Sequence, residues 1–107
     1  MVTIITREEL KERIDNKELF KLLDVRDTPD YETEHIINAI HILISDMSEK
    51  SLSNLFEKSD LIITYSLDLN CPASGIAAEK LQKFGYHNVL RYKGGWKEWK
   101  DSKYLTE

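Results

Sequence analysis

A chain of 107 residues has room for one hydrophobic core and not two, so residues 1–107 are expected to form a single domain. Nineteen acidic against 15 basic residues leave a formal net charge of −4, which argues against general nucleic-acid binding because no segment supplies a basic face. No apolar run approaches the ~18 residues of a membrane span, so no membrane partner is expected, and the single cysteine permits no internal disulfide. The opening Met-Val-Thr-Ile-Ile-Thr-Arg-Glu-Glu turns charged within a few residues and lacks the form of a signal peptide, so the expected location is the cytoplasm.

Thr6-Arg-Glu-Glu9 reads as a capping box opening a short helix, with Leu10 and Ile14 sharing one face. Leu19 to Arg26 is apolar almost throughout, as a strand is when both faces of its sheet are covered. Thr28-Pro29 can cap and open another helix, with Pro29 at the first helical position. Asn38 to Ile44 reads as a second strand. Asp46 to Glu49 resembles a further capping box, before a helix whose buried face carries Met47, Leu52, Leu55 and Phe56. Leu61 to Tyr65 is a short apolar strand. Pro72 to Phe84 repeats Ala73, Ala77, Leu81 and Phe84 at helical spacing and stops at Gly85. Val89 to Lys93 is a fourth strand, Gly94-Gly95 a turn, and Trp96 with Trp99 mark a closing amphipathic helix. Strands alternating with helices predict an α/β fold, a mainly parallel sheet with helices on both faces. In such sheets ligands sit beyond the carboxyl ends of the strands, which is where Ser66 to Ser74 falls.

Four segments in order resemble the rhodanese-homology domain over roughly Thr3 to Lys103. They are Leu22-Leu-Asp-Val-Arg26, the run Asp30-Tyr31 with Glu34 to Ile42, the strand–loop–helix Leu61 to Gly85, and Gly94-Gly-Trp-Lys-Glu-Trp99. The resemblance implies a five-stranded sheet and commonly a sulfurtransferase. In that family a loop cysteine takes sulfane sulfur from a donor such as thiosulfate and passes it to a thiol or cyanide. The chain departs from the family at the chemistry. Ser66 holds the usual position of the nucleophile, the loop is about two residues longer than the common one, and Cys71 lies three residues before Ser74. No Lys or Arg stands between Ser66 and Gly75, and Asp68 adds a negative charge.

The candidate catalytic residue is Cys71. As N-cap of the helix opened by Pro72 its sulfur would face free N–H groups and the positive end of the helix dipole, which favours a thiolate. The alternative is a small buried residue plugging the loop against the sheet. Ser66, Leu67, Asp68, Leu69, Asn70, Ala73, Ser74 and Gly75 form the expected substrate or anion-binding loop. Within it Ser66 is a nucleophile only if a base activates it, and no such base is visible locally. If the strand ending at Lys93 lies beside the active-site strand, Lys93 can supply the missing cation. Asp24 and Arg26 alternate onto one face and are read as a structural pair. His35 and His41 lack the spacing and partners of a metal site, so neither metal nor cofactor is expected. The Trp96 and Trp99 pair is read as core and helix docking.

The leading expectation is a sulfurtransferase or persulfide carrier working through Cys71, with a small sulfur donor and a thiol acceptor, free or on a protein, as partners. The alternative is an inactive module that binds through the loop, for which Ser66 and Asp68 speak. A phosphatase or arsenate reductase is a third reading, disfavoured because the loop lacks the Arg that phosphoryl transfer leans on.

Overall fold

The computed structural model describes residues 2–107; Met1, the first residue of the expected domain, lies outside them. Five strands make one sheet: β1 (Thr3–Ile5), β2 (Lys21–Asp24), β3 (Ile40–His41), β4 (Ile62–Tyr65) and β5 (Val89–Tyr92). Their order is β1-β5-β4-β2-β3, and every pairing is parallel. Parallel neighbours need crossover connections, which here are the helices α1 (Arg7–Asp15), α2 (Thr28–Thr33), α3 (Glu49–Leu55) and α4 (Ala73–Lys83); α5 (Gly95–Asp101) follows the last strand. β4 is central, so all four of its residues are buried, and this is why its sequence is so uniformly apolar.

Side chains alternate across the sheet and build a core on each face. Leu23, Ile62 and Val89 join Leu52 and Phe56 of the α3 region and Ala77, Ala78 and Leu81 of α4. On the other face Leu22, Ile63, Tyr65 and Tyr92 join Leu10 of α1 and Trp99 of α5. Each such apolar side chain contributes about 1.5–3 kcal/mol by leaving water. Trp99 is buried against Tyr92 and Tyr104, the core role expected of it, while Trp96 is only partly covered.

The structure corrects several boundaries. β1 was absent from the pattern read along the residues, because three residues at a sheet edge leave no period to detect; the fifth strand followed only from the family resemblance. The strand expected over Leu19 to Arg26 is reduced to Lys21–Asp24, with Leu19 97% exposed ahead of it. Asn38 has φ +67, which breaks the extended run expected from it, and Ile44 begins a 3₁₀ turn, so β3 keeps two residues. The cap of α2 is Asp27, which moves Thr28 and Pro29 into the first helical turn. Asp46 lies in the 3₁₀ turn, and the capping box of α3 belongs to Ser48 and Ser51, whose hydroxyls serve each other's backbone. The Thr6–Glu9 capping box of α1 is present as read.

Candidate active site

The carboxyl ends of β2, β4 and β5 point the same way, so the segments after Asp24, Tyr65 and Tyr92 gather at one edge of the sheet. Ser66 leaves β4 buried, and its carbonyl accepts the Trp96 N–H at 2.8 Å; the Leu67 carbonyl accepts the Lys97 N–H at the same distance. Donors that a helix start leaves free are thus used on the loop. This contact is close because Gly95 has φ +74 and no side chain: a Cβ there would stand 2.7 Å from the Ser66 carbonyl oxygen. Asp68 then folds the loop on itself. Its carboxylate accepts the Asn70 N–H at 3.0 Å and its carbonyl the Cys71 N–H at 3.1 Å.

The N-cap of α4 is Pro72, with φ −78 and ψ −8 and no side-chain cap, so Cys71 sits one residue earlier than expected. Proline carries no N–H, and its own backbone is already helical. The sulfur nevertheless reaches the donors sought for it. It lies 3.3 Å from the Ser66 hydroxyl, and the backbone N–H groups of Ala73 and Leu67 also favour its charged form. Burial pushes the thiol up. Those three groups outweigh burial and the repulsion of Asp68, so the Cys71 pKa falls below its ordinary value. The side chain is partly exposed and is therefore no sealed plug.

Ser66 is poorly placed as a nucleophile. It is buried, and its hydroxyl is spent on the Cys71 sulfur. His35 and His41 are elsewhere, stacked on either side of Tyr31, and His87 is exposed after α4.

The cation missing from the loop arrives from β5. Arg91 Nε donates to the Ser74 hydroxyl at 2.8 Å and Nη2 to the Cys71 carbonyl at 3.3 Å. Gly75 leaves room for it, since a Cβ there would be 2.9 Å from Nη1. β5 pairs with β4 but ends at Tyr92, one residue short of the strand expected over Val89 to Lys93, so Lys93 follows the strand and lines the cleft. Alternation along Val89, Arg91 and Lys93 was the available signal: Val89 packs towards α4, so Arg91 must lie beneath the start of that helix. The cleft over Cys71, about 490 Å³, is bounded by Leu69, Asn70, Pro72, Ile76, Glu79, Arg91 and Lys93. Ser74 is buried, tied to Arg91 through its hydroxyl and to Thr64 through its carbonyl.

Asp24 and Arg26 form a separate, closed assembly. Their side chains are almost inaccessible and meet through paired hydrogen bonds, the closest at 2.9 Å. Arg26 also donates to the Glu34 carbonyl at 2.7 Å and stacks 4.6 Å from the Trp96 ring. The Tyr65 hydroxyl donates to Asp24 and receives the Ile36 N–H. Burial, then the Asp24 charge, hold that phenol far above the usual tyrosine range, so it stays a donor. Every strong group here has a partner.

Among the described residues no helix is long and apolar enough to cross a membrane. Residues 6–102 match the family model of the rhodanese-like domain. The chain is 34% identical over 79 residues to the thiosulfate sulfurtransferase GlpE of Coxiella burnetii, covering 74% of this chain and 70% of that protein. It is 30% identical over 95 residues to YrkF of Bacillus subtilis, a candidate sulfur carrier protein; the match takes in 89% of this chain but spans about half, 49%, of YrkF. The crystal structure of the BH2092 protein of Bacillus halodurans superposes with a TM-score of 0.91 at 28% identity, over 98% of this chain and 76% of that one. With its five-stranded parallel sheet, its loop at the end of β4 and a family match over nearly its whole length, the chain belongs to the rhodanese-like domain family.

Proposed function

We propose that the protein moves sulfane sulfur through Cys71. The observation that carries the reading is the cradle around that sulfur: the Ser66 hydroxyl at 3.3 Å and two backbone N–H groups favour a thiolate at the mouth of a cleft carrying Arg91 and Lys93. The relatedness to a thiosulfate sulfurtransferase supports the same chemistry. In the first step the Cys71 thiolate attacks the outer sulfur of thiosulfate. A new S–S bond forms, the old one breaks, and sulfite leaves with the electron pair. The resulting persulfide carries its charge on the outer sulfur, where the Cys71 cradle and the Arg91 guanidinium offset it. In the second step an acceptor thiolate attacks that outer sulfur and returns the pair to Cys71. A lone free thiol suits a reducing compartment such as the cytoplasm.

Intact-protein mass spectrometry after incubation with thiosulfate, and separately with a persulfide donor, tests this. The expected result is a gain of one sulfur atom, reversed by a thiol and absent from Cys71→Ser. The competing reading, a domain that binds without catalysis, draws on Ser66 standing buried at the family's nucleophile position. It gains the ground if the folded protein takes up sulfur from neither donor.

A further inference from the structure

A persulfide on Cys71 has two sulfurs that an acceptor thiolate can attack, and only one of them gives transfer. At the outer sulfur, the acceptor–sulfur bond forms, the bond to Cys71 breaks, and its electron pair returns to the Cys71 Sγ. At Sγ itself, the acceptor bonds to Cys71 and the outer sulfur leaves with the pair, taking a proton from water to become hydrosulfide. That second route ends in a mixed disulfide. The chain has one cysteine, so no second thiol within it can resolve such a bond. Selection of the outer sulfur is therefore a demand that sulfur transfer places on this site.

Ser66 is placed to meet it. The residue is 3% exposed, and among the described residues its hydroxyl has one partner, the Cys71 sulfur at 3.3 Å. Once Cys71 carries sulfur or has become a thiolate it has no proton to give, so the hydroxyl donates. Cys71 lines the cleft, whereas Ser66, Leu67 and Ala73 do not. The hydroxyl therefore stands behind Sγ, while the outer sulfur of a persulfide extends towards the cleft. Displacement at sulfur is in line, with the attacking and leaving groups on opposite sides. Attack from the cleft on the outer sulfur drives the new charge onto Sγ, towards a donor already in place. Attack on Sγ sends the charge out into the cleft as hydrosulfide, and the rear approach it needs is filled by buried Ser66. We propose that Ser66 is a catalytic hydrogen-bond donor that directs the acceptor to the outer sulfur of the Cys71 persulfide and away from Sγ. The inference rests on the sulfur-transfer reading and adds a role for the residue that replaces the family's nucleophile.

The test loads the full chain with thiosulfate, removes the donor and excludes oxygen. Equimolar glutathione is then added, and samples quenched in acid at early times are weighed by intact-protein mass spectrometry. Among discharged molecules, bare protein counts attack on the outer sulfur and the protein–glutathione disulfide counts attack on Sγ. The ratio is taken only over molecules that had been loaded, so a variant that merely loads slowly or folds less stably leaves it unchanged. In the wild type bare protein is expected to dominate. Ser66→Ala should lower the ratio of bare protein to mixed disulfide about tenfold, the factor that goes with one lost hydrogen bond to a charged group. Ser66→Thr, which keeps the hydroxyl, should stay near the wild-type ratio. A ratio unchanged in Ser66→Ala, or lowered equally in both variants, overturns the role of Ser66 while leaving sulfur transfer standing. So does a wild type that discharges mainly to the mixed disulfide. Failure of the wild type to load overturns both.

Discussion

Arg26 and Arg91 stand near the same edge of one sheet, on opposite faces, and their surroundings differ in kind. Arg26 has a carboxylate partner at 2.9 Å, a carbonyl, a tryptophan face and almost no exposure. Arg91 has a hydroxyl and a carbonyl as partners, no carboxylate, and an outlook onto the cleft over Cys71. A compensated, enclosed cation can only hold the fold together; an uncompensated one beside a partly exposed thiol has charge left for a ligand. The residue type is the same in both places, and the distinction lies in what the neighbours have already consumed.

The largest expected effect breaks the closed side. Asp24→Ala leaves Arg26 buried without its carboxylate and should cost about 3–5 kcal/mol in denaturant unfolding. A loss below ~1 kcal/mol would mean that Arg26 finds another partner and that the contrast is overstated. Gly95→Ala strikes the joint between α5 and the loop, where the added Cβ meets the Ser66 carbonyl and the backbone has positive φ. It should cost about 1–3 kcal/mol and displace the loop, slowing thiosulfate loading of Cys71. If loading is untouched, the α5 contact does not position the thiol.

Arg91→Gln sharpens the open side. It removes two charge-assisted hydrogen bonds and should cost less stability than Asp24→Ala, about 1–2 kcal/mol. Its kcat/KM for thiosulfate should nevertheless fall about tenfold or more, or ~1.4 kcal/mol per tenfold. A variant that loses stability without a selective loss of turnover would make Arg91 a second Arg26.

The smallest effect concerns the Cys71 thiol. Ser66→Ala removes one of the three groups that pull its pKa down, so the midpoint of alkylation by iodoacetamide should move to higher pH. The linkage has a definite sign. The fold favours the thiolate, so its contribution is complete above the unfolded-state pKa, near the ordinary value of 9.0, and is lost as pH falls through the lower folded-state value. The stability difference between the wild-type protein and Cys71→Ser should therefore shift in favour of the wild type as pH rises through that window. A flat difference would show that the cradle does not tune the thiol.

The fold class was legible because strands and helices alternate with clear periods, and because each face of β4 is covered. The capping box of α1 was legible because its two side chains are three residues apart. Boundaries were less so: Asn38 adopts a left-handed conformation that nothing nearby announces, and the α3 cap went to Ser48 where Asp46 offered the same chemistry. In the site, the sequence singled out Cys71 and the lengthened loop, but it placed the sulfur at a helix cap that Pro72 occupies.

Local order was enough to fix the parallel α/β architecture, the strand–loop–helix around the lone cysteine, and the absence of a basic residue within the loop, since all three are written in contiguous residues. Tertiary structure decided what each charged group is for. Seventeen positions separate Ser74 from Arg91, yet the pairing of β5 with β4 brings them to 2.8 Å. Tyr65 and Asp24, 41 positions apart, become one buried network by the same sheet. Periodicity reports which face a side chain takes, but the partner on that face, and hence whether a charge is spent or free, depends on strand order that only the folded sheet supplies.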